Sequence, residues 1–443
     1  MRIQLSDHFT YKRLFRFVLP SIVMMIFTSI YGVVDGLFVS NFVGKTPFAA
    51  INLIMPLLMG LGSIGFMIGT GGGALVSKTL GEGKEKKANQ YFSMLIFITI
   101  ISGVTLTILG LFLTRPLAIA MGATDQLLED CVLYGSILLI FQTAFMLQNV
   151  FQSLFAVAEK PKLGLIITVA AGMTNIILDA LFIAVFQWGI AGAAIATVIS
   201  QVVGGVAPII YFAKRNNSLL RLTKPVFSMK SILKVCTNGS SELMTNLSTS
   251  LISVLYNLQL MKLAGENGIA AYGVIMYINF IFNAIFFGYA IGSAPVIGYH
   301  YGAENHSELK NLFRKSIIFI TICGVTLTTM AMLLSGTLSK IFVGYDTELF
   351  EMTRHGFRLF ALSFLIGGFN IFSSAFFTAL NNGFISAVIS FARTLLFQSL
   401  MIWILPILIG IDGIWVAIAV AELLGLAVTV FFFVRKKKQY HYA

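Results

Sequence analysis

The sequence predicts an all-α integral membrane protein: twelve transmembrane helices in two six-helix lobes related by a parallel internal repeat. Three observations carry this. Of the 443 residues 57% are hydrophobic and only 11% charged, under half the charged share of an ordinary soluble domain. The apolar residues fall into twelve runs, each near the roughly 20 residues that a bilayer crossing needs. The chain also matches itself at an offset of about 221 residues, half its length.

Taken in order, residues 1–16 are polar and basic, and the run at 14–40 is too long for a secretory signal and has no small-residue cleavage site. It reads as a retained first helix. The second run, 48–76, is crowded with Gly60, Gly62, Gly65, Gly69, Gly71, Gly72 and Gly73, which suits close helix packing through small residues. Runs at 91–113 and 131–157 carry Gly103-Val-Thr-Leu-Thr107 and Asn149-x-Phe151-x-x-x-Phe155, and those at 163–186 and 189–213 complete the first lobe. A basic stretch with Lys214, Arg215, Arg221, Lys224 and Lys230 follows. The second lobe then repeats the pattern at 235–261, 269–298, 313–335, 349–379, 384–408 and 413–434, with Gly324-Val-Thr-Leu-Thr328 and Asn370-x-Phe372-x-x-x-Phe376 in register. Gly71 likewise meets Gly292, and Gly81 meets Gly302. An offset of six helices, an even number, gives both halves the same topology, so the pseudo-twofold axis runs along the membrane normal, as in many transporters. The expected organisation is an N-terminal lobe at 1–215, a cytoplasmic linker at 216–234 and a C-terminal lobe at 235–443, a monomer that rocks by alternating access.

The formal charge of +12 sits in short loops, beside few aromatics free to stack on bases, so it reports orientation and not nucleic acid. Most Lys and Arg fall on the side of both termini, which places the termini in the cytoplasm and the protein in the cytoplasmic (inner) membrane. Cys131, Cys236 and Cys323 lie far apart, with neither disulfide nor zinc spacing. No catalytic set appears at membrane depth, so no enzyme and no cofactor are expected.

An ionised carboxylate at mid-bilayer costs on the order of 2.5–3.5 kcal/mol, which makes such residues functional suspects. Asp35 lies in the first helix with Tyr31 one turn before it, and Asp179 in the fifth with Asn175 one turn before it. Thr197 and Ser200 add hydroxyls in the sixth. The repeat positions of the acids, Tyr256 for Asp35 and Leu400 or Met401 for Asp179, carry no acid. The structural alternatives are an interfacial contact for Asp35 and a hydrogen bond to a neighbouring helix for Asp179. Elsewhere, Glu242 at the start of the seventh helix reads as a partner of the basic linker. Arg393 and Glu422, on antiparallel helices at depths differing by about 7 Å, read as a structural ion pair. His355 and Arg358 belong at the interface.

Tyr31-Gly-Val-Val-Asp-Gly36, Ala49-Ala-Ile-Asn52, Gly69-Thr-Gly-Gly-Gly73 before Leu80-Gly-Glu-Gly-Lys84, Asn175-Ile-Ile-Leu-Asp179 and Gly189-Ile-Ala-Gly-Ala-Ala-Ile-Ala-Thr197 together resemble the multidrug and toxic compound extrusion (MATE) family, in its MepA- and DinF-like prokaryotic branch. The resemblance covers nearly the whole chain. It implies secondary active efflux of small organic, often cationic amphiphiles in exchange for H+ or Na+, through a cleft between the lobes. It also implies a cation site in the N-terminal lobe at Asp35, Asn175, Asp179 and Thr197, with Tyr31 beside it. Another branch keeps acids in the seventh and tenth helices; here Glu242 comes too early and the tenth helix offers Asn370. Desolvation disfavours an ionised carboxylate, so acids in a partly dry lobe can take a proton and release it to water. Two carboxylates with an amide and a hydroxyl also make an all-oxygen shell for a hard cation such as Na+. Polar candidates for the cleft are Gln148, Asn149, Tyr256, Asn279 and Asn283, set in a surface that 40 Phe and 18 Met can make apolar and adaptable. The alternative function is flipping of a lipid or lipid-linked oligosaccharide, which shares the wider superfamily fold.

Overall fold

The computed structural model describes residues 3–443; Met1 and Arg2, the start of the basic N-terminal segment, lie outside it. The described residues form helices α1 (Tyr11–Phe42), α2 (Lys45–Gly81), α3 (Glu85–Ala120), α4 (Asp125–Ile140), α5 (Gln142–Val157), α6 (Pro161–Asp179) and α7 (Gly189–Ala213) in the first lobe. The second lobe holds α8 (Met229–Gly302), α9 (His306–Val343), α10 (Thr347–Phe360), α11 (Leu362–Ala379), α12 (Gly383–Phe391), α13 (Phe397–Ile409) and α14 (Ile411–Tyr440). With no water in the bilayer core, only segments that satisfy their own backbone can cross it, and this chain uses helices throughout.

Ten of these stretches are individually long and apolar enough to span, and α4 with α5, bent by 58° between them, makes another. The twelfth comes from α8. A straight helix of its 74 residues would run about 110 Å, over three times the hydrocarbon thickness. Gly265, at φ 59 and ψ −147, breaks it. Tyr256 and Tyr272 stack with ring centroids 4.6 Å apart, where an unbroken helix would separate them by about 24 Å. So α8 is two antiparallel arms, residues 229–264 and 266–302, and the sixteen-residue separation of the two tyrosines is centred on the turn.

The irregular points repeat as the sequence does. Gly44 and Gly265, both at positive φ, make the first turn of each lobe, and Gly189 and Gly410 make the last; each pair is 221 positions apart. Positive φ is the conformation that glycine adopts without strain. The expected fourth and tenth helices are not continuous, and they break at matching places, near Phe141 between α4 and α5 and at Ala361 between α10 and α11. The fifth and eleventh helices each contain a π-helical turn, Ala180–Val185 after α6 and Ala392–Leu396 between α12 and α13. These turns lie at different depths in the two lobes.

The lobes meet through glycines on the side that carries both termini. A methyl group at Gly71 would overlap the Val235 carbonyl and crowd Gly239, and one at Gly239 would overlap the Met67 carbonyl. Gly292 lies against Val18 and Gly288 against Ile22, while Gly81 and Gly302 face Tyr299 and Lys78. The sequence repeat pairs Gly71 with Gly292, Gly81 with Gly302 and Val18 with Gly239. The two helix crossings are therefore one contact used twice. Toward the opposite side the lobes part: Ser29 Oγ still donates to the Phe280 carbonyl at 3.3 Å, but Gly32 and Gly273 have nothing within 4 Å of a Cβ position. The close contacts between the lobes are thus concentrated on the terminal side.

Overpacking a tight contact costs about 1–3 kcal/mol. Gly71→Ala and Gly239→Ala are expected to lower the melting temperature of the purified protein. Gly32→Ala meets no neighbour and gains helix propensity, so its melting temperature should hold or rise.

Candidate functional site

The two intramembrane acids of the first lobe are brought together by α1 and α6. On α6, Gly172, Asn175 and Asp179 follow at intervals of three and four and so share one face. Gly172 lets α1 approach, since a methyl there would touch the rings of Phe27 and Tyr31. That approach sets Asp35, one turn after Tyr31, opposite Asp179: the two carboxyls are direct electrostatic partners. Asp179 and Asn175 are buried. Both carboxylate oxygens of Asp179, Oδ1 of Asp35 and Nδ2 of Asn175 lack a hydrogen-bond partner. The α-helical pattern of α6 ends at Asp179, where the π turn begins, and π turns recur at functional positions in helices.

Two further groups complete the cluster. Tyr134 of α4 is fully buried, its hydroxyl is unpartnered, and it lies in the field of both acids beside Thr197. Thr197 Oγ1 donates to the Ala193 carbonyl at 3.0 Å, which leaves its lone pairs for another ligand. Gln148 lies beside Tyr31 and packs on Gly204 of α7, where a side chain would displace it. Sequence reasoning missed Tyr134 and also Gln201, whose buried Oε1 is unpartnered one turn after Thr197. Their signal was the same one that marked the acids, a polar group at membrane depth.

The cleft candidates separate. Gln148 joins the cluster inside the first lobe, and Asn149 is buried near it with its Nδ2 unpartnered. Tyr256 does not line the cleft, because it is buried in the α8 hairpin against Tyr272. Asn283 Nδ2 donates to Asn279 Oδ1 at 2.6 Å, one turn apart on the second arm of α8. Glu242 corrects the expectation of a linker partner: its electrostatic neighbour is Arg393, with no ion pair between them. It opens a face of the first arm that continues through Asn246, Thr249, Ser253 and Asn257, at spacings of four, three, four and four, all at least partly exposed. A partly exposed polar stripe at membrane depth belongs against a water-filled cavity.

In the second lobe Arg393 and Glu422 form the expected pair. Arg393 Nη2 and Nε lie 2.9 and 3.1 Å from Glu422 Oε1. Asn370 Nδ2 donates to Glu422 Oε2 at 2.7 Å, and Thr429 Oγ1 donates to Asn370 Oδ1 at 2.8 Å. Gly425 makes room, since a methyl there would crowd both Arg393 and Asn370. At the end away from the termini, Arg358 Nε donates to Ser335 Oγ and His355 Nε2 sits 2.9 Å from Asp412. No three His, Cys, Asp or Glu among the described residues converge as a transition-metal site.

The MatE family profile matches residues 20–181 and again residues 243–404, one match in each lobe. The multidrug export protein MepA of Staphylococcus saprophyticus is 26% identical over 365 residues, 81% of this chain and 80% of that protein. Its namesake in Staphylococcus haemolyticus is 23% identical over 416 residues, 93% and 90% of the two chains. A solved structure described as the outward-facing conformation of a multidrug resistance MATE family transporter superposes with a TM-score of 0.92 at 22% identity, covering 98% of each chain. A MOP superfamily transporter from Pyrococcus furiosus gives 0.88 at 22% identity, over 97% and 96%.

Removing one partner of a buried ion pair strands the other charge, at a cost of about 3–5 kcal/mol. Arg393→Ala and Glu422→Ala should each lower thermal stability markedly, and the reciprocal swap should recover part of it. Stability equal to the parent in both single variants would remove the pair's structural role.

Proposed function

Because this chain belongs to the MatE family, whose members are transporters and not enzymes, we propose that it exports small organic, often cationic compounds by alternating access, driven by inward flow of H+ or Na+. The observation that carries the coupling is the pair Asp35 and Asp179, which face each other with carboxylate oxygens unpartnered. Two carboxylates out of water repel unless a proton or a cation relieves them, and here the relief has to come from outside the chain. Asn175, Thr197 and Tyr31 complete the site, and Tyr134 joins them from α4. With a proton, one carboxyl becomes neutral and can donate to the other. With Na+, carboxylate, amide and hydroxyl oxygens supply a hard shell.

The linker at 216–234 divides the lobes, and the terminal side is cytoplasmic by its excess of Lys and Arg, in an inner membrane. The sealed side of the cleft is then the inner gate, and the open cleft faces out. Substrate meets the polar face headed by Glu242, just above the seal at Gly239. A carboxylate with no ion pair there suits an organic cation, while the surrounding Phe and Met adapt to varied apolar bodies. The chain works as a monomer and needs no cofactor.

The test is dye efflux from proteoliposomes under an imposed proton or sodium gradient. Asp35→Asn keeps the shape but not the charge, so gradient-driven efflux should vanish while membrane insertion is retained. Normal efflux in that variant removes Asp35 from the mechanism. Asp179→Asn and Asn175→Ala should weaken the dependence on the driving ion more than the affinity for dye. Glu242→Gln should instead raise the KM for cationic dyes and spare neutral ones; an equal effect on both would take Glu242 out of the cleft.

A further inference from the structure

The segment before α1 is not a loose end. Leu5 and Phe9 are completely buried, although each lies in a short polar stretch outside any helix. Three backbone groups hold the segment to two different lobes. Leu5 N–H donates to Glu159 Oε1 at 2.7 Å, in the turn between α5 and α6 of the first lobe. Phe9 N–H donates to Glu308 Oε1 at 2.8 Å, at the start of α9 in the second lobe. The Phe9 carbonyl accepts from Asn311 Nδ2 at 3.0 Å and from Lys315. His8 Nδ1 lies 2.6 Å from the other oxygen of Glu308, and the Phe9 ring packs edge-on against Phe17 and His300.

The linker does the corresponding job on the other side. Arg221 N–H donates to Asn89 Oδ1 at 2.6 Å and Thr223 N–H to Ser93 Oγ at 2.8 Å, both on α3. The first helix of each lobe is thus led in by a segment fastened to the third helix of the opposite lobe. The linker is a covalent bridge and can pay out as the lobes swing. The N-terminal segment bridges by hydrogen bonds and two buried side chains, and it spans the face that has to part when the inner gate opens.

We propose that residues 3–9 are a latch that holds the cytoplasmic gate shut and that the Phe9 and Glu308 contact lets go when the lobes rock inward. The idea rests on the alternating access proposed above and adds a means of setting the balance between the two states. A latch that favours the outward-open state lowers the fraction of inward-open molecules without touching the cation site or the cleft.

Two reporter cysteines test it in full-length protein in membrane vesicles, with Cys131, Cys236 and Cys323 replaced and no substrate needed. Ser77→Cys sits in the seal, where Ser77 is buried against Gly298. Gly32→Cys lies in the open half, on the face of α1 that continues from Ser29. In Phe9→Ala and Glu308→Gln, maleimide labelling of Ser77→Cys from the cytoplasmic side should rise several-fold while labelling of Gly32→Cys from outside falls. His8→Ala, whose side chain is 66% exposed, should give the same pattern more weakly. Labelling unchanged from the parent overturns the latch alone. A rise at both positions overturns it too, because the segment then only supports the fold. Should Ser77→Cys stay unreactive in parent and variants under every gradient, alternating access fails and the latch with it.

Discussion

Everything in this molecule depends on two helix crossings in which backbone meets backbone. In a bilayer no hydrophobic gain draws helices together, since lipid tails are as apolar as leucine, so association rests on close van der Waals contact and on hydrogen bonds. Gly71 against Gly239 and Gly288 against Ile22 allow the closest contact a helix pair can make. The contact is made twice by pseudo-symmetry, so the seal lies about the pseudo-twofold axis that relates the lobes. Side chains reinforce it on the same side, among them Lys78 over the Tyr301 ring and Asn381 Nδ2 donating to the Ala74 carbonyl at 3.1 Å. The acids sit on the open side of this seal, where water can reach the cleft.

The two lobes handle buried charge in opposite ways. In the second, Glu422 finds its cation within the chain, in Arg393, and Asn370 and Thr429 satisfy what remains. In the first, Asp35 and Asp179 face each other with oxygens unpartnered. A half-satisfied polar network is costly in a low dielectric. The repeat gives both lobes one frame, and the buried charge distinguishes them. A π turn accompanies each network, at Ala180–Val185 and Ala392–Leu396.

Much of this was legible in the sequence because membrane folds write their rules in long apolar runs. The helix count, the repeat and the pairing of Arg393 with Glu422 follow from period, depth and offset, whereas the convergence of Asp35 with Asp179 was legible only through the family resemblance. The breaks near Phe141 and Ala361 were not legible, since neither interrupts the apolar pattern. The α8 turn looked longer than it is because Gly265 alone reverses the chain. Tyr134 and Gln201 carry no charge, so hydropathy passed over them. Glu242 was assigned to the linker by nearness in sequence, whereas Arg393, 151 positions on, is its neighbour in space. The docking of Phe9 on Glu308 leaves no periodic trace at all.

That last contact has a consequence for how the protein is made. Phe9 and Glu308 are separated by 299 residues, and at about 5–20 residues per second the ribosome needs on the order of tens of seconds to cover the gap. Throughout that interval the whole first lobe is synthesised and inserted while Leu5 and Phe9 have no surface of the second lobe to bury against. The newborn lobe must therefore stand in the membrane with its N-terminal segment undocked on the second-lobe side. The Phe9 contact can form only once α9 emerges, so a chain that stops short of it keeps the α8 crossings but leaves the Phe9 backbone without its partners Glu308 and Asn311.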